Sequence, residues 1–216
     1  MTGASHPLPQ ERPVQLWVEG ALLHTFYCTP RDLAELAVGF LSDRGLLRPG
    51  CLPTVTQSQG EPWSLRAELD GPPLTPPNPV PWRPIPLTEV SALAREAMEQ
   101  TPLRRQSGGV HAAALCWQGG LLVREDVARH NAVDKAVGAG IIRGVDPAAA
   151  VLFTTGRLSH EMLAKAARLG IPVAATMKYP TDLGVALASR KGMCVVGMVL
   201  SPAPVVYTGG WRLGLE

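Results

Sequence analysis

The chain has 216 residues, 46% of them hydrophobic, enough to bury a core as one domain or as one domain with a smaller appendage. Its 20 basic and 18 acidic side chains are mixed along the chain to a net charge of +2, which argues against nucleic acid or a membrane surface as partner. No apolar run approaches the roughly 20 residues of a membrane span, and the opening "MTGASHPLPQERP" lacks the layout of a secretory signal, so a cytoplasmic protein is expected.

The first stretch, "VQLWVEGALLHTFYC", places β-rich apolar segments around Glu19-Gly20 and predicts a hairpin. A helix follows in "TPRDLAELAVGFLSDRG". Thr29 is read as its cap, accepting from the N–H of Asp32, Pro30 suits the first helical position and Gly45 the stop; Leu33, Leu36, Ala37, Phe40 and Leu41 supply a buried stripe. Residues 61–86 then carry nine prolines, which remove backbone donors, so this segment is expected to be an extended linker without regular structure. The expected organisation is a hairpin-and-helix subdomain over 1–60, the linker over 61–86 and a core over 87–216.

That core alternates. Thr88 is read as the cap of "EVSALAREAMEQ", and strands "HAAALCW" and "LLVRED" follow around the tight turn Gln118-Gly119-Gly120. Helix 130–139, strand "AVLFTT", helix "HEMLAKAARL" behind Ser159, strand "IPVAATM", helix "DLGVALASRK" behind Thr181 and strand "CVVGMVL" complete the order. Near-continuous apolar strands between helices predict a sheet covered on both faces, a three-layer α/β/α domain.

Strand-to-helix junctions of such a sheet gather at one edge, where helix N-termini present free N–H groups. Three junctions are polar and glycine-bearing, and their candidate residues are Ser107, Gly108, Gly109 and His111; Asp126, Arg129, His130 and Asn131; and Thr154, Thr155, Gly156, Arg157, Ser159 and His160. If they converge, glycine backbones, hydroxyls and two arginines would hold a phosphate-bearing or otherwise anionic ligand. Each has a plainer reading. Ser107 to Gly109 could be a loop, Ser159 an N-cap, His130 with Asp134 a surface pair joined by a similar Lys135, and Asp126 with Arg129 a turn ion pair. The combination carries the argument, because a helix start does not need so many polar side chains.

Four cysteines lie far apart with no CxxC, so neither a zinc knuckle nor a disulfide framework is suggested. Cys28, Cys116 and Cys194 sit in apolar runs and read as buried, inert thiols. Cys51, in "RPGCLP" beside Arg48, is the weak candidate for a reactive thiol.

These stretches resemble the FdhD family of formate dehydrogenase accessory sulfurtransferases. "TPRDLAELAVGFLSDRG", "SGGVHAAAL", "EDVARHNAVDKAVG", "TTGRLSHEMLAKAARLGIPV" and "PTDLGVALASRKGMCVVGMV" with "VVYTGG" are similar to successive family motifs, over most of residues 14–210. The resemblance implies a cytidine-deaminase-like core, a homodimer, and a site for the molybdenum cofactor in its bis(molybdopterin guanine dinucleotide) form, with GDP as an analogue. It also implies two partners, a cysteine desulfurase that supplies sulfur as a persulfide and formate dehydrogenase as recipient. By that likeness the cofactor site would include Met198, Val199, Leu200, Ser201, Pro202 and Ala203, aligned with an arginine-bearing family loop but here uncharged. Two further departures stand out: Ala128 replaces the usual glycine, and residues 52–115 hold no cysteine where the family's CxxC relay lies. The expectation is therefore an accessory protein that binds the cofactor and supports its sulfuration, or a cofactor chaperone that lacks the transfer step. A zinc nucleobase deaminase is the remote rival, since His130 is present but the catalytic glutamate and the PCxxC ligands are not.

Overall fold

A computed structural model describes residues 7–47, 51–73 and 83–215. The glycine-turned hairpin forms as expected: β1 (Arg12–Val18) and β2 (Ala21–Cys28) pair antiparallel. It belongs to a four-stranded sheet of order β2-β1-β4-β3, completed by β3 (Thr54–Ser58) and β4 (Trp63–Glu68). Strand β4 lies beside β1, with Leu65 and Ala67 buried, so the linker expected over 61–86 does not hold for this part of it; residues 74–82 of that segment lie outside the described residues. Helix α1 (Leu33–Asp43) covers the inner face, packing Leu33, Leu36, Ala37, Phe40 and Leu41 on Val14, Leu16, Phe26 and Leu65.

The second sheet has six strands in the order β10-β9-β8-β7-β5-β6. These are β5 (His111–Trp117), β6 (Gly120–Asp126), β7 (Val151–Thr154), β8 (Val173–Thr176), β9 (Cys194–Gly197) and β10 (Val205–Thr208). Strands β7, β8 and β9 are parallel; the rest pair antiparallel. Alternating residues separate two cores, as period-two geometry requires. Leu115, Leu152, Ala174 and Val195 face α4 (Arg129–Ile142), α5 (His160–Arg168) and α6 (Asp182–Arg190), whereas Ala114, Phe153, Ala175 and Val196 face α2 (Leu87–Glu99). The expected helix–sheet–helix layering is present.

Several caps differ from expectation. Thr88 lies inside α2, whose N-cap position is Pro86, and Thr29 does not cap α1 but accepts from Val127 N–H at 3.2 Å. Thr181 does cap α6, accepting from Gly184 N–H. A short helix, α3 (Pro102–Ser107), occupies what reads as a loop; its first N–H groups, from Leu103 and Arg104, donate to Glu125 at 3.0 and 2.7 Å.

Candidate functional site

Parallel β7, β8 and β9 end at the edge where β6 ends and antiparallel β5 begins, because Ala113 pairs with Thr154, His111 with Asp126 and Thr154 with Thr176. The three polar junctions therefore meet. Thr155 N–H donates to Ala112 O and its hydroxyl accepts from Ala112 N–H, both at 2.9 Å, which ties the post-β7 turn to the start of β5. Thr176 Oγ1 donates to Gly156 O at 2.6 Å. Gly156 is tightly approached: a Cβ there would lie 3.0 Å from Arg129 Cβ, so the arginine stem crosses close over the turn.

Within "EDVARHNAVDK" the side chains divide into two sets. Asp126, Asn131 and Lys135 turn inward and are buried. Lys135 Nζ lies 2.6 Å from Asp126 Oδ2 and donates to Thr29 O, Asp126 also accepts from Thr29 and Ala128 N–H, and Asn131 donates to Tyr27 O and Asp126 Oδ1. This set fastens the first sheet to α4, so Asn131 is a structural clamp and Lys135 is not a surface residue. Asp134 is also buried and pairs with Lys165, so its reading as a surface partner of His130 is corrected; His130 instead lies 3.9 Å from Glu161.

Arg129 forms the other set with residues of the neighbouring junctions. Its Nε is buried without a hydrogen-bond partner among the described residues, as are His111 Nδ1 and Ser159 Oγ. Ser159 occupies the N-cap position of α5 but makes no cap hydrogen bond, contrary to the capping expected of it. Burial, then the nearby Arg104 and Arg129, lowers the His111 pKa and favours the neutral ring. Arg157 is exposed at the same edge. Ser107 and Gly108 close α3, with Ser107 Oγ donating to Leu103 O, and Gly109 lies under Pro9, whose Cγ would be 3.2 Å from an added Cβ. Met198 N–H donates to Lys178 O, which ties the start of the 198–203 loop to the segment after β8.

A cavity of about 440 Å³ opens on the other side of the first turn of α4, lined in part by His24, Phe40, Asp43, His130, Asp134, His160 and Lys165. Sequence reasoning missed it, because His24 and Phe40 come from a different sheet and helix and no local pattern joins them to Lys165. His24 stacks on Phe40 with ring centroids 4.7 Å apart. Burial, followed by Lys165 and Arg129, lowers the His130 pKa. Cys28, Cys116 and Cys194 are buried with thiols pushed up to about 12, chiefly by burial, and Cys51 is half-buried in an isolated bridge to Pro73; its neighbour Arg48 lies outside the described residues.

A sequence model of the FdhD/NarQ family matches residues 67–214. The chain belongs to the FdhD/NarQ family. Relatives named sulfur carrier protein FdhD include those of Burkholderia mallei, 30% identical over 92% of this chain and 87% of the relative, and of Anaeromyxobacter dehalogenans strain 2CP-C, 32% identical over 96% and 88%. A solved structure of a candidate formate dehydrogenase accessory protein from Desulfotalea psychrophila superposes with a TM-score of 0.80 at 29% identity, covering 95% of this chain and 90% of that one. The FdhD/NarQ match begins inside β4 and spans the whole second sheet, so it includes all three polar junctions.

Proposed function

We propose that this chain serves formate dehydrogenase maturation by binding the guanine-dinucleotide form of the molybdenum cofactor at the edge formed by β5, β7 and β8. The observation that carries this reading is the set of three buried polar atoms without partners among the described residues, His111 Nδ1, Arg129 Nε and Ser159 Oγ, on three junctions that the hydrogen bonding draws together. Buried polar groups are normally paired, so three orphans at one edge favour a polar ligand there. The donors suit a phosphate. Arg129 offers a guanidinium, Ser159 a hydroxyl and the first turn of α5 its free N–H groups. The cofactor itself would supply the metal centre that receives sulfur; the residues of this chain bind and orient its nucleotide end.

The family names on which this reading draws are those of sulfur carriers, yet residues 52–115 hold no cysteine. Three of the four thiols are buried and held protonated near neutral pH. Binding without a cysteine-pair relay is therefore the preferred reading, and transfer through Cys51 the second, favoured only by its partial exposure. Calorimetric titration of GDP into wild type and Arg129→Ala, followed by mass spectrometry after incubation with a cysteine desulfurase and cysteine, separates them. Wild type should bind GDP, and Arg129→Ala should bind on the order of a hundredfold more weakly. Equal affinities would remove Arg129 from the site. A gain of one sulfur on wild type that disappears in Cys51→Ser would establish the second reading instead.

A further inference from the structure

Resting on the reading of this edge as a nucleotide site, we propose that Lys178 binds a phosphate of the ligand and supplies the positive charge that the uncharged 198–203 loop lacks. The backbone sets its position. Thr181 N–H donates to Leu158 O at 3.0 Å and Leu158 bridges Pro180 in parallel, so the segment after β8 runs beside the turn that carries Arg157. On its other side Lys178 O accepts from Met198 N–H at 2.9 Å. Lys178 thus stands between the segment that carries Arg157 and the 198–203 loop, and Thr176 Oγ1, which accepts from Lys178 N–H, donates to Gly156 O beneath Arg129.

Three irregularities meet at this point. Met198 has φ of +52°, in the left-handed region that non-glycine residues enter only under strain. A Cβ at Gly197 would lie 2.7 Å from the Tyr207 ring and 3.2 Å from Lys178 O, so only glycine fits between them. Tyr207 sits at the register shift of the β9–β10 pair, where Val206 faces Val196 and Thr208 faces Val195; such bulges re-aim side chains near functional sites. Together they hold the Lys178 backbone against the end of β9. Its side chain, by contrast, is exposed and, among the described residues, has neither a hydrogen bond nor an ion pair. A fixed backbone under a free ammonium differs from an ordinary surface lysine. An ammonium acts as a compact point charge and suits a terminal phosphate, whereas Arg129 can engage two oxygens at once.

The test is calorimetric titration of GDP and GMP into wild type, Lys178→Met, Lys178→Arg and Arg129→Ala, with thermal unfolding to establish that each variant is folded. Lys178→Met should lose roughly tenfold in GDP affinity and most of the preference for GDP over GMP, and Lys178→Arg should restore both. GDP binding by Lys178→Met equal to that of wild type, alongside weakened binding by Arg129→Ala, would overturn the Lys178 assignment and leave the site standing. Failure of wild type to bind GDP would overturn both.

Discussion

Lys135 has no exposed surface, and its ammonium reaches Asp126 and the Thr29 carbonyl at 2.6 and 2.8 Å. Removing one member of a buried ion pair strands the other charge, at about 3–5 kcal/mol, whereas replacing both by apolar groups costs far less. Lys135→Ala should therefore lose about 3–5 kcal/mol in urea unfolding, with Asp126→Leu/Lys135→Met losing less than that single variant; a loss under about 1 kcal/mol for Lys135→Ala would refute the clamp. Asp134 behaves differently. Burial outweighs Lys165 and pushes its carboxyl from 3.8 up to about 6. The folded state thus holds this proton more tightly than the unfolded state, so the stabilisation is full below about pH 4 and is lost as pH rises through about 6. Stability of wild type relative to Asp134→Asn should fall by on the order of 3 kcal/mol between those limits; a constant difference would contradict it. Periodicity made Asp134 and His130 neighbours on one helix face, but their separate partners, Lys165 and Glu161, come from α5 and leave no trace in the local sequence.

Helices α1 and α4 cross with their backbones in near contact. A Cβ at Gly39 would lie 1.9 Å from Asp134 O, and one at Gly138 would lie 1.9 Å from Glu35 O. Neither neighbour is a side chain that can turn away, so the helices must separate. Gly138→Ala should destabilise by at least about 3 kcal/mol and lower the melting temperature, while Gly144→Asn, at a left-handed position with open space around it, should change stability little; equal effects would show that the crossing tolerates separation. Most elements of the second sheet were readable because apolar strands alternate with helical periodicity and because Gly170 and Gly192 mark real helix ends. The elements missed have physical causes. Eight of the nine prolines in 61–86 lie at or beyond position 72, so their count concealed β4, whose buried face shows mainly as Leu65 and Ala67. Helix α3 takes its cap from Glu125, a contact across the fold rather than along the chain.

At the scale of the molecule, two sheets meet through α1 and α4, and the ties between them run from the first turn of α4 to its last. Asp126 and Lys135 hold Thr29, Arg124 pairs with Glu35, and Arg168 binds Asp43 at 2.6 Å. The first turn of α4 is held on its inner side by Asn131, while Arg129 and His130 face outward, Arg129 toward the sheet edge and His130 toward the cavity beside α5. Convergence of two junctions was legible in the sequence, since strands running the same way carry those after β6 and β7 to one edge, whereas the junction before β5 joins them only because β5 runs antiparallel to both. The roles within them were not, because clamp and ligand-facing residues alternate in the same short segment. A crystal structure with GDP bound tests the central claim most directly. The phosphates are predicted between Arg129, the first turn of α5 and Lys178, with His111 Nδ1 or Ser159 Oγ newly hydrogen-bonded. GDP seated instead among His24, Phe40 and Lys165, with the sheet edge unchanged, would contradict the account.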